Sequence, residues 1–244
     1  MSSSPLLRWY RRSRLYLLRL RNRFRNTEQV FTSIYQENRW GGRPGEYCSG
    51  SGSTEEQAST YGTCVRGFMA NKGVASVVDL GCGDFVVGRQ VVAHGVKYTG
   101  VDIVAPLVRR NEQEFGNKDV SFFCCDITKG PLPDGDLCLL RQVLQHLSNA
   151  QITQVLQQTR KYRYVLVTEH YPSPSVRKVV PNKDKPHGAD TRIYDNSAVY
   201  LDQPPFSTKV SALVLEVMAR PHLVRPGESI KTFLLDNSSQ GTTS

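Results

Sequence analysis

The chain has 244 residues, of which 39% are hydrophobic and 22% charged, and its net charge is +9. This length supports one sizeable core, and the composition is that of a soluble globular protein. No apolar run approaches the ~20 residues that a membrane-spanning helix needs. The six cysteines form no Cys-x-x-Cys pair, which predicts free, buried thiols in a reducing compartment and no metal site.

Residues 1–25 form a basic tail with eight arginines and no acidic residue, which leaves a net charge of about +1 for the rest of the chain. Apolar side chains recur on one helical face of this tail, at Leu6, Tyr10, Leu17, Leu20 and Phe24. Such a basic amphipathic helix suits an anionic membrane surface, contacted through residues 6–25. Three alternatives stay open: a transit peptide, an arm that binds nucleic acid or an acidic partner, and a helix packed on the core.

Residues 26–72 are predicted to form a helical cap or lid. Its elements, in chain order, are a short helix over 26–38, a break at the Arg-Trp-Gly-Gly run of 39–42, a flexible Ser-Gly-Ser-Gly-Ser loop over 49–53, and a helix over 54–71. Thr54 and Gln57 have the spacing of a capping box at the start of that last helix.

From residue 75 onward, short apolar runs alternate with helical patterns. Strands are predicted over 75–80, 96–102, 119–125, 136–141, 163–169, 210–218 and 230–235, with helices over 85–93, 105–115 and 148–161 and a substrate loop over 170–208. Ser148 and Gln151 form a second capping box. The pattern predicts an α/β domain over 73–244, a Rossmann-like three-layer sandwich. Its seven-stranded sheet is mostly parallel, with an antiparallel C-terminal hairpin at the edge.

The first of these strands ends in the motif Asp79-Leu-Gly-Cys-Gly-Asp-Phe85. Gly81 and Gly83 permit a tight turn and a close approach of the backbone to a ligand. Asp102 ends the next strand, where a carboxylate can accept hydrogen bonds from both hydroxyls of a ribose. The sequence therefore predicts a nucleoside-like cofactor at the carboxyl ends of these strands.

This motif resembles that of class I S-adenosylmethionine (SAM)-dependent methyltransferases, which reads acid-x-Gly-x-Gly-x-Gly. Phe85 replaces the third glycine, which argues against a pyrophosphate-binding site and so against an NAD-dependent oxidoreductase. The chain also lacks a recognisable Tyr-x-x-x-Lys. Segments 27–53, 78–85 and 140–148 resemble a little-characterised bacterial-type branch of the class, over about residues 27–170, with a weaker similarity at 200–206.

The resemblance implies a role for each part of the motif. Asp79 and the glycine loop would face the methionine portion of SAM, Asp102 would hold the ribose, and Asp126 would meet the adenine amino group with Ile127 beside the ring. The fourth strand would end beside the methyl group. The full cofactor-binding set is Trp40, Asp79, Gly81, Gly83, Asp84, Phe85, Asp102, Ile103, Asp126, Ile127 and Arg141. Trp40 has a core position as its alternative, and Arg141 a surface ion pair.

Three further groups are candidates for chemistry. His146, after the fourth strand, is a candidate general base, with a structural hydrogen bond as the alternative. Glu169 and His170 form a second candidate acid–base pair. Substrate-binding candidates in the long loop are Asp190, Arg192 and Asp195, with a charged surface as the alternative.

No Asn-Pro-Pro-Tyr-like sequence, typical of amide or base-amine methylation, follows the fourth strand, which favours O-methylation. We expect a cytoplasmic enzyme, peripheral to a membrane through its tail, that methylates a small-molecule, glycan or lipid-linked acceptor. The alternatives are an RNA or protein acceptor, which the near-neutral body does not favour, and a non-catalytic SAM-binding interaction module.

Overall fold

The computed structural model describes residues 5–53, 55–219 and 227–238, and the side chains of 5–12 and 51 lie outside this description. Its helices are α1 Pro5–Asn22, α2 Thr27–Gln36, α3 Glu55–Lys72, α4 Val86–Val91, α5 Ala105–Phe115 and α6 Asn149–Gln158. Its strands are β1 Ser76–Leu80, β2 Lys97–Asp102, β3 Val120–Cys124, β4 Leu137–Arg141, β5 Tyr164–Tyr171, β6 Ala212–Met218 and β7 Ser229–Asp236.

The strands form one sheet in the order β3-β2-β1-β4-β5-β7-β6. Strands β1 to β5 pair in parallel, and β7 runs antiparallel to both β5 and β6. This confirms the predicted sheet with its C-terminal hairpin. The chain leaves β1 in one direction toward β2 and β3 and returns on the other side at β4. The resulting switch point lies between the carboxyl ends of β1 and β4, where ligands bind in sheets of this kind.

The central strands are buried on both faces. Val78 and Leu140 point into one apolar layer, whereas their neighbours Val77 and Leu139 point into the other. Because side chains alternate across a strand, a strand covered by helices on both sides must be apolar at successive positions. This explains why β1, β4 and β5 are continuous apolar runs in the sequence.

Capping residues determine where two helices begin. The Ser148–Gln151 capping box of α6 forms as predicted, and Asn26 and Gln29 form another at the start of α2 that we did not predict. The expected capping residue Thr54 lies outside the described residues. Helix α6 ends at Gln158, three residues before the predicted end, and continues as a 3₁₀ turn over Thr159–Lys161.

Helix α1 is amphipathic, but its predicted apolar face does not join the core. Leu17, Leu20 and Phe24 are exposed, whereas Arg19 is partly buried and Asn22 is buried against the protein. The side chains of Leu6 and Tyr10 lie outside the described set. None of the described helices combines the length and the apolar character needed to cross a membrane.

All six cysteines are free thiols. Cys82 and Cys138 are buried, in agreement with the expectation, but Cys124 on β3 is exposed and Cys48, Cys64 and Cys125 are partly buried.

Candidate cofactor and active site

A cleft with about 1010 Å³ of empty space, partly open to solvent, lies at the switch point of the sheet. Of the predicted cofactor-binding residues, those that line it are Trp40, Asp79, Gly81, Gly83, Asp84, Asp102, Ile103, Asp126, Ile127 and Arg141. The structure thus brings together residues from β1, β2, the segment after β3, β4 and the helical cap.

Asp79 lies at the floor of the cleft near the end of β1. Its Oδ2 atom accepts a 2.6 Å hydrogen bond from the hydroxyl of Tyr98. Burial raises the pKa of Asp79 to about 6, and the Tyr98 hydrogen bond and nearby Arg141 act in the opposite direction. Burial makes the charged form of this carboxylate costly. Because the side chain lines an open cleft, a cationic group of a ligand can offset that cost.

Asp102 is buried at the end of β2, and its two oxygens bind backbone on either side of the cleft. Oδ2 accepts from the Gly83 N–H at 3.1 Å, and Oδ1 accepts from the Val104 N–H at 3.0 Å. Burial raises the pKa of Asp102, whereas these backbone donors lower it. Each carboxylate oxygen accepts more than one hydrogen bond, so both keep capacity for the hydroxyls of a ribose.

The glycine loop approaches its neighbours too closely for any side chain. Gly81 has φ +81°, and a Cβ atom there would lie 2.5 Å from Cγ2 of Val143. Gly83 has φ +56°, and its Cβ would overlap the Ser49 hydroxyl. Both positions therefore need glycine for the backbone conformation and for space.

Asp126 stands at the opposite end of the cleft, after β3. Its Oδ1 accepts from the backbone N–H and the hydroxyl of Thr128, and its Oδ2 lies 3.2 Å from Nζ of Lys129. Ile103 and Ile127 line the same end and supply apolar surface. This combination can hold a planar heterocycle and accept from an exocyclic amine.

Phe85 is a correction to the predicted set, because it points away from the cleft. It is buried and packs edge-to-face on Phe122, with 4.9 Å between ring centroids, and contacts Tyr98 and Phe115. Its φ of +67° is a left-handed conformation that a glycine adopts more easily. Phe85 therefore anchors the turn before α4 in the core and offers nothing to the cofactor.

The serine-glycine loop, which we expected to be flexible, is bonded across the cleft. Ser49 N–H donates to Asp84 Oδ2 at 2.8 Å, and the Asp84 N–H donates back to Ser49 Oγ at 2.8 Å. The Arg141 guanidinium donates from Nη2 to the Gly52 carbonyl at 2.7 Å. Asp84 thus lines the cleft and also fixes the 49–53 loop through its two hydrogen bonds with Ser49.

Trp40 and His146 form one wall of the cleft. Their ring centroids are 5.1 Å apart, and Trp40 Nε1 donates to the Ala189 carbonyl at 3.1 Å. His146 Nδ1 lies 3.1 Å from the Gly188 carbonyl oxygen. Because a carbonyl only accepts, this contact places the imidazole proton on Nδ1 and leaves Nε2 unprotonated. Burial lowers the pKa of His146 to about 4, so the ring is neutral near pH 7.

The structure does not bring Glu169 to the cleft, and its expected acid–base role is corrected accordingly. Glu169 is fully buried behind β4, where its two oxygens accept from the backbone N–H groups of Leu144 and Gln145 at 2.8 and 3.2 Å. Burial raises its pKa to about 8. The side chain holds the 3₁₀ turn Leu144–His146, which positions His146.

His170, the second member of that pair, also lies outside the cleft lining. Successive side chains on β5 point to opposite faces, and the His170 Nε2 atom lies 3.1 Å from Oε2 of the buried Glu228. The two candidates therefore have separate surroundings and do not act as a pair.

The three substrate-binding candidates of the long loop are also occupied elsewhere. Arg19 of α1 donates to Asp190 Oδ2 from Nε and Nη2, at 3.0 and 2.7 Å, and to Asp195 Oδ2 at 2.5 Å. Arg192 is buried and donates to the carbonyls of Leu147 and Lys183. None of the three lines the cleft, so their interactions fix the loop and α1.

Several residues that line the cleft were missed by sequence reasoning. Those from the cap are Thr27, Phe31, Tyr35, Ser49 and Tyr61, and others, such as Val87 and Val143, come from the segments after β1 and β4. The Tyr35 hydroxyl lies 3.1 Å from Ser49 Oγ, and the Tyr61 ring stacks under the Arg141 guanidinium at 5.2 Å. One signal in the sequence could have identified part of this set. The helix predicted over 26–38 has an apolar side, and that side lies against the cleft.

Residues 77–162 match the family model described as a methyltransferase domain. The matched segment runs from β1 to the residues just before β5 and includes the glycine loop and Asp102. The chain is also similar to an uncharacterized methyltransferase of Mycobacterium bovis, with 29% identity over 85 residues, which are 34% of this chain and 43% of that protein. The same figures hold for uncharacterized methyltransferases of two Mycobacterium tuberculosis strains. The chain spans less than half the length of these curated relatives.

Among solved structures, the chain is similar to human N-acetylserotonin methyltransferase in complex with SAM. The TM-score is 0.48 at 16% identity, covering 88% of this chain and 61% of that one. It is also similar to the N-methyltransferase NodS of Bradyrhizobium japonicum in complex with S-adenosyl-L-homocysteine, with a TM-score of 0.49 at 14% identity, covering 73% and 86%.

The residues of the cleft fit SAM, the cofactor that the sequence resemblance implies. The buried Nε of Arg141 has no hydrogen-bond partner among the described residues and can donate to the methionine carboxylate. Asp79 supplies an anion for the methionine ammonium, and Asp102 accepts from the ribose. The cleft offers no cluster of basic side chains for a pyrophosphate among the described lining residues, in keeping with a cofactor that carries no phosphate.

Proposed function

We propose that the chain binds SAM in this cleft and transfers its methyl group to a hydroxyl oxygen of a small-molecule, glycan or lipid-linked acceptor, with His146 as general base. The observation that carries the proposal is the neutral imidazole in the cleft wall. Its Nδ1 is bonded to the Gly188 carbonyl, and its Nε2, which lies 3.5 Å from the amide nitrogen of Gln145, is the nitrogen able to take a proton.

The chemistry of the acceptor decides whether such a base is useful. SAM supplies a methyl group on a positively charged sulfur, and its transfer is an in-line displacement by the acceptor. A hydroxyl must lose its proton as it attacks, whereas a neutral amine can attack without a base. A histidine held as the Nδ1–H tautomer therefore matches a hydroxyl acceptor better than an amine.

The protein's own contributions are orientation and exclusion of water. The Trp40 ring packs against His146 and Tyr35 and limits the positions of the imidazole. Glu169 fixes the 3₁₀ turn that carries His146, and the 49–53 loop closes the cleft through Asp84 and Arg141. Positioning of this kind supplies much of the acceleration of a displacement reaction.

The position after β4 also supports oxygen as the acceptor atom. The sequence there is Arg141-Gln-Val-Leu144, without the Asn-Pro-Pro-Tyr pattern that is typical of amide or base-amine methylation. Gln142 has φ +56°, so the chain turns sharply at this point and carries His146 to the cleft.

The test is a transfer assay with methyl-labelled SAM against matched pairs of acceptors that differ in a hydroxyl or an amino group, such as phenols and anilines, and sugars and amino sugars. We expect label on the hydroxyl member of at least one pair. His146→Gln should reduce transfer to hydroxyls while SAM still binds.

The matched control is His94→Gln. His94 lies in the segment between α4 and β2 and does not line the cleft. Label only on amines, or equal transfer by wild type and His146→Gln, would contradict the proposed acceptor and base. SAM binding without any transfer across a broad panel would favour the interaction-module alternative.

A further inference from the structure

The most prominent surface feature outside the cleft is an apolar strip on α1. The strip, called here the outer strip, consists of Tyr16, Leu17, Leu20 and Phe24, which are 67%, 63%, 41% and 85% exposed. Spacings of one, three and four residues place them on one side of the helix. The N–H groups of Arg23 and Phe24 still bond back to the carbonyls of Arg19 and Arg21, so the helical path continues to Phe24.

Exposed arginines border the outer strip on both sides. Arg14 and Arg21 lie three and four residues from Leu17, and Arg23 lies three from Leu20, which are the spacings of helix neighbours. The segment 1–25 contains no acidic residue. The strip is therefore an apolar and aromatic face bordered by arginines, one of which, Arg21, lies 3.9 Å from the exposed Glu37.

The opposite face of α1 is committed to the protein body. Arg19 bonds to Asp190 and Asp195, and the Asn22 Nδ2 donates to the His187 carbonyl at 3.1 Å. His187 Nε2 in turn lies 3.1 Å from the Arg25 carbonyl oxygen. These contacts hold the helix so that the outer strip faces away from the fold, and a partner can cover it without displacing α1.

We propose that the outer strip docks on an anionic lipid surface, with α1 lying in the plane of the interface. Leucine and aromatic side chains would enter the boundary between headgroups and acyl chains while the arginines pair with lipid phosphates. A second copy of this chain is a poorer occupant, because pairing two such faces would bring together two sets of arginines that outnumber the neighbouring Glu37.

The docked helix is connected to the cleft through one loop. Asp190 binds Arg19, and the two preceding residues bind the cleft wall, because the Ala189 carbonyl accepts from Trp40 and the Gly188 carbonyl contacts His146. A lipid surface against α1 would thus be connected to the wall of the cleft through the loop that contains Gly188, Ala189 and Asp190. The docking proposal itself needs no cofactor and does not rest on the proposed methyl transfer.

The experiment is vesicle flotation with the purified full chain, in the absence of SAM. Vesicles of phosphatidylcholine alone are compared with vesicles that contain phosphatidylcholine and phosphatidylglycerol in a 7:3 ratio. We expect binding to the anionic vesicles only, decreasing as NaCl is raised. Arg14→Gln/Arg23→Gln should weaken binding at least tenfold, since each basic residue contributes about fivefold. Leu20→Ser/Phe24→Ser should weaken it by a similar factor.

Leu213→Ser/Met218→Ser is the matched control for the apolar change, because both side chains are exposed on β6, away from α1. Arg160→Gln/Lys118→Gln is the control for charge, with both side chains exposed on the body. All variants change exposed side chains, so circular-dichroism melting should match that of the wild type. Failure of the wild type to float, or equal loss in the controls, would overturn the proposal. The strip would instead be assigned to self-association by two results together. The wild type would not bind vesicles but would sediment as a dimer, and Leu20→Ser/Phe24→Ser would sediment as a monomer.

Discussion

Nδ1 of His146 lies 3.1 Å from the carbonyl oxygen of Gly188, two residues before Asp190, which binds Arg19 of the N-terminal helix. One loop therefore sets the tautomer of the imidazole in the cleft and also anchors the N-terminal helix α1.

His146→Gln is expected to lower methyl transfer to a hydroxyl acceptor by about 10²-fold, the low end of the usual contribution of a general base, because burial lowers the pKa of the imidazole to about 4 and weakens it as a proton acceptor. SAM affinity should change less than about threefold, because the proton-accepting atom serves the acceptor. Single-turnover rates with labelled SAM, with calorimetric SAM affinities beside them, measure both quantities. His94→Gln should leave both the rate and the affinity unchanged. A parallel loss of SAM affinity and transfer rate in His146→Gln would assign His146 to cofactor binding.

The same histidine predicts a pH dependence of stability. Its pKa in the folded protein is lowered to about 4 by burial, below the unfolded value near 6.5. Its contribution is therefore present above pH 6.5 and is lost as the pH falls toward 4. Urea unfolding at pH 7 and pH 4.5 should show that wild type loses about 2 kcal/mol more than His146→Gln over this range. Equal losses in the two proteins would mean that the ring is not desolvated.

Gly81→Ala should disrupt the cofactor loop. The new Cβ would lie 2.5 Å from Val143 Cγ2 on a backbone with φ +81°. We expect a loss of about 1–3 kcal/mol in stability and a decrease of more than tenfold in SAM affinity, because the loop must shift. Gly45→Ala is the matched control, with φ +86° and no atom within 4 Å of its Cβ. Gly45→Ala should lower stability by about 1 kcal/mol and leave SAM affinity intact. A similar loss of SAM affinity in Gly45→Ala would show that backbone strain alone explains the loss in Gly81→Ala.

Arg19→Gln should release α1 from the loop that binds Trp40 and His146 of the cleft wall. The guanidinium and its two carboxylate partners are mostly buried, with 19%, 11% and 17% of the side chains exposed. Removing the cation leaves Asp190 with Lys185 at 3.7 Å and Asp195 with Lys183 at 3.0 Å as ion-pair partners, and the lost hydrogen bonds cost about 1–3 kcal/mol. Limited proteolysis should then cut within residues 1–25 faster than in the wild type. Arg14→Gln, which removes an exposed arginine of the same helix, should keep the wild-type cleavage rate.

The sequence was sufficient to predict the sheet and most of the residues that line the cleft, because the information is local. Asp79 and Asp102 each lie at or next to the end of an apolar run, and alternation of strands with helices defines the parallel order. Gly81 and Gly83 were identifiable because their conformations are local requirements.

The helices of the cap could be predicted, but the tertiary contacts of the cap and of the long loop could not, because the partners are distant in the chain. Trp40 binds the carbonyl of a residue 149 positions away, and Arg19 binds Asp190 across 171 positions. The charges of Asp190, Arg192 and Asp195 resembled a substrate site, and only the fold shows that other side chains and carbonyls satisfy them. Phe85 was assigned to the cofactor by its place in the motif, whereas its aromatic partners turn it into the core.

The most direct test of the account is calorimetric titration of the full chain with SAM, S-adenosyl-L-homocysteine and NAD, repeated with Asp102→Ala and with Asp134→Ala as an exposed control. We predict micromolar binding of both adenosyl compounds and none of NAD. Asp102→Ala should lose more than tenfold in affinity because the ribose loses charge-assisted hydrogen bonds, whereas Asp134→Ala should match the wild type. Absence of adenosyl binding by the wild type, or unchanged affinity in Asp102→Ala, would contradict the assignment of this cleft as the SAM site.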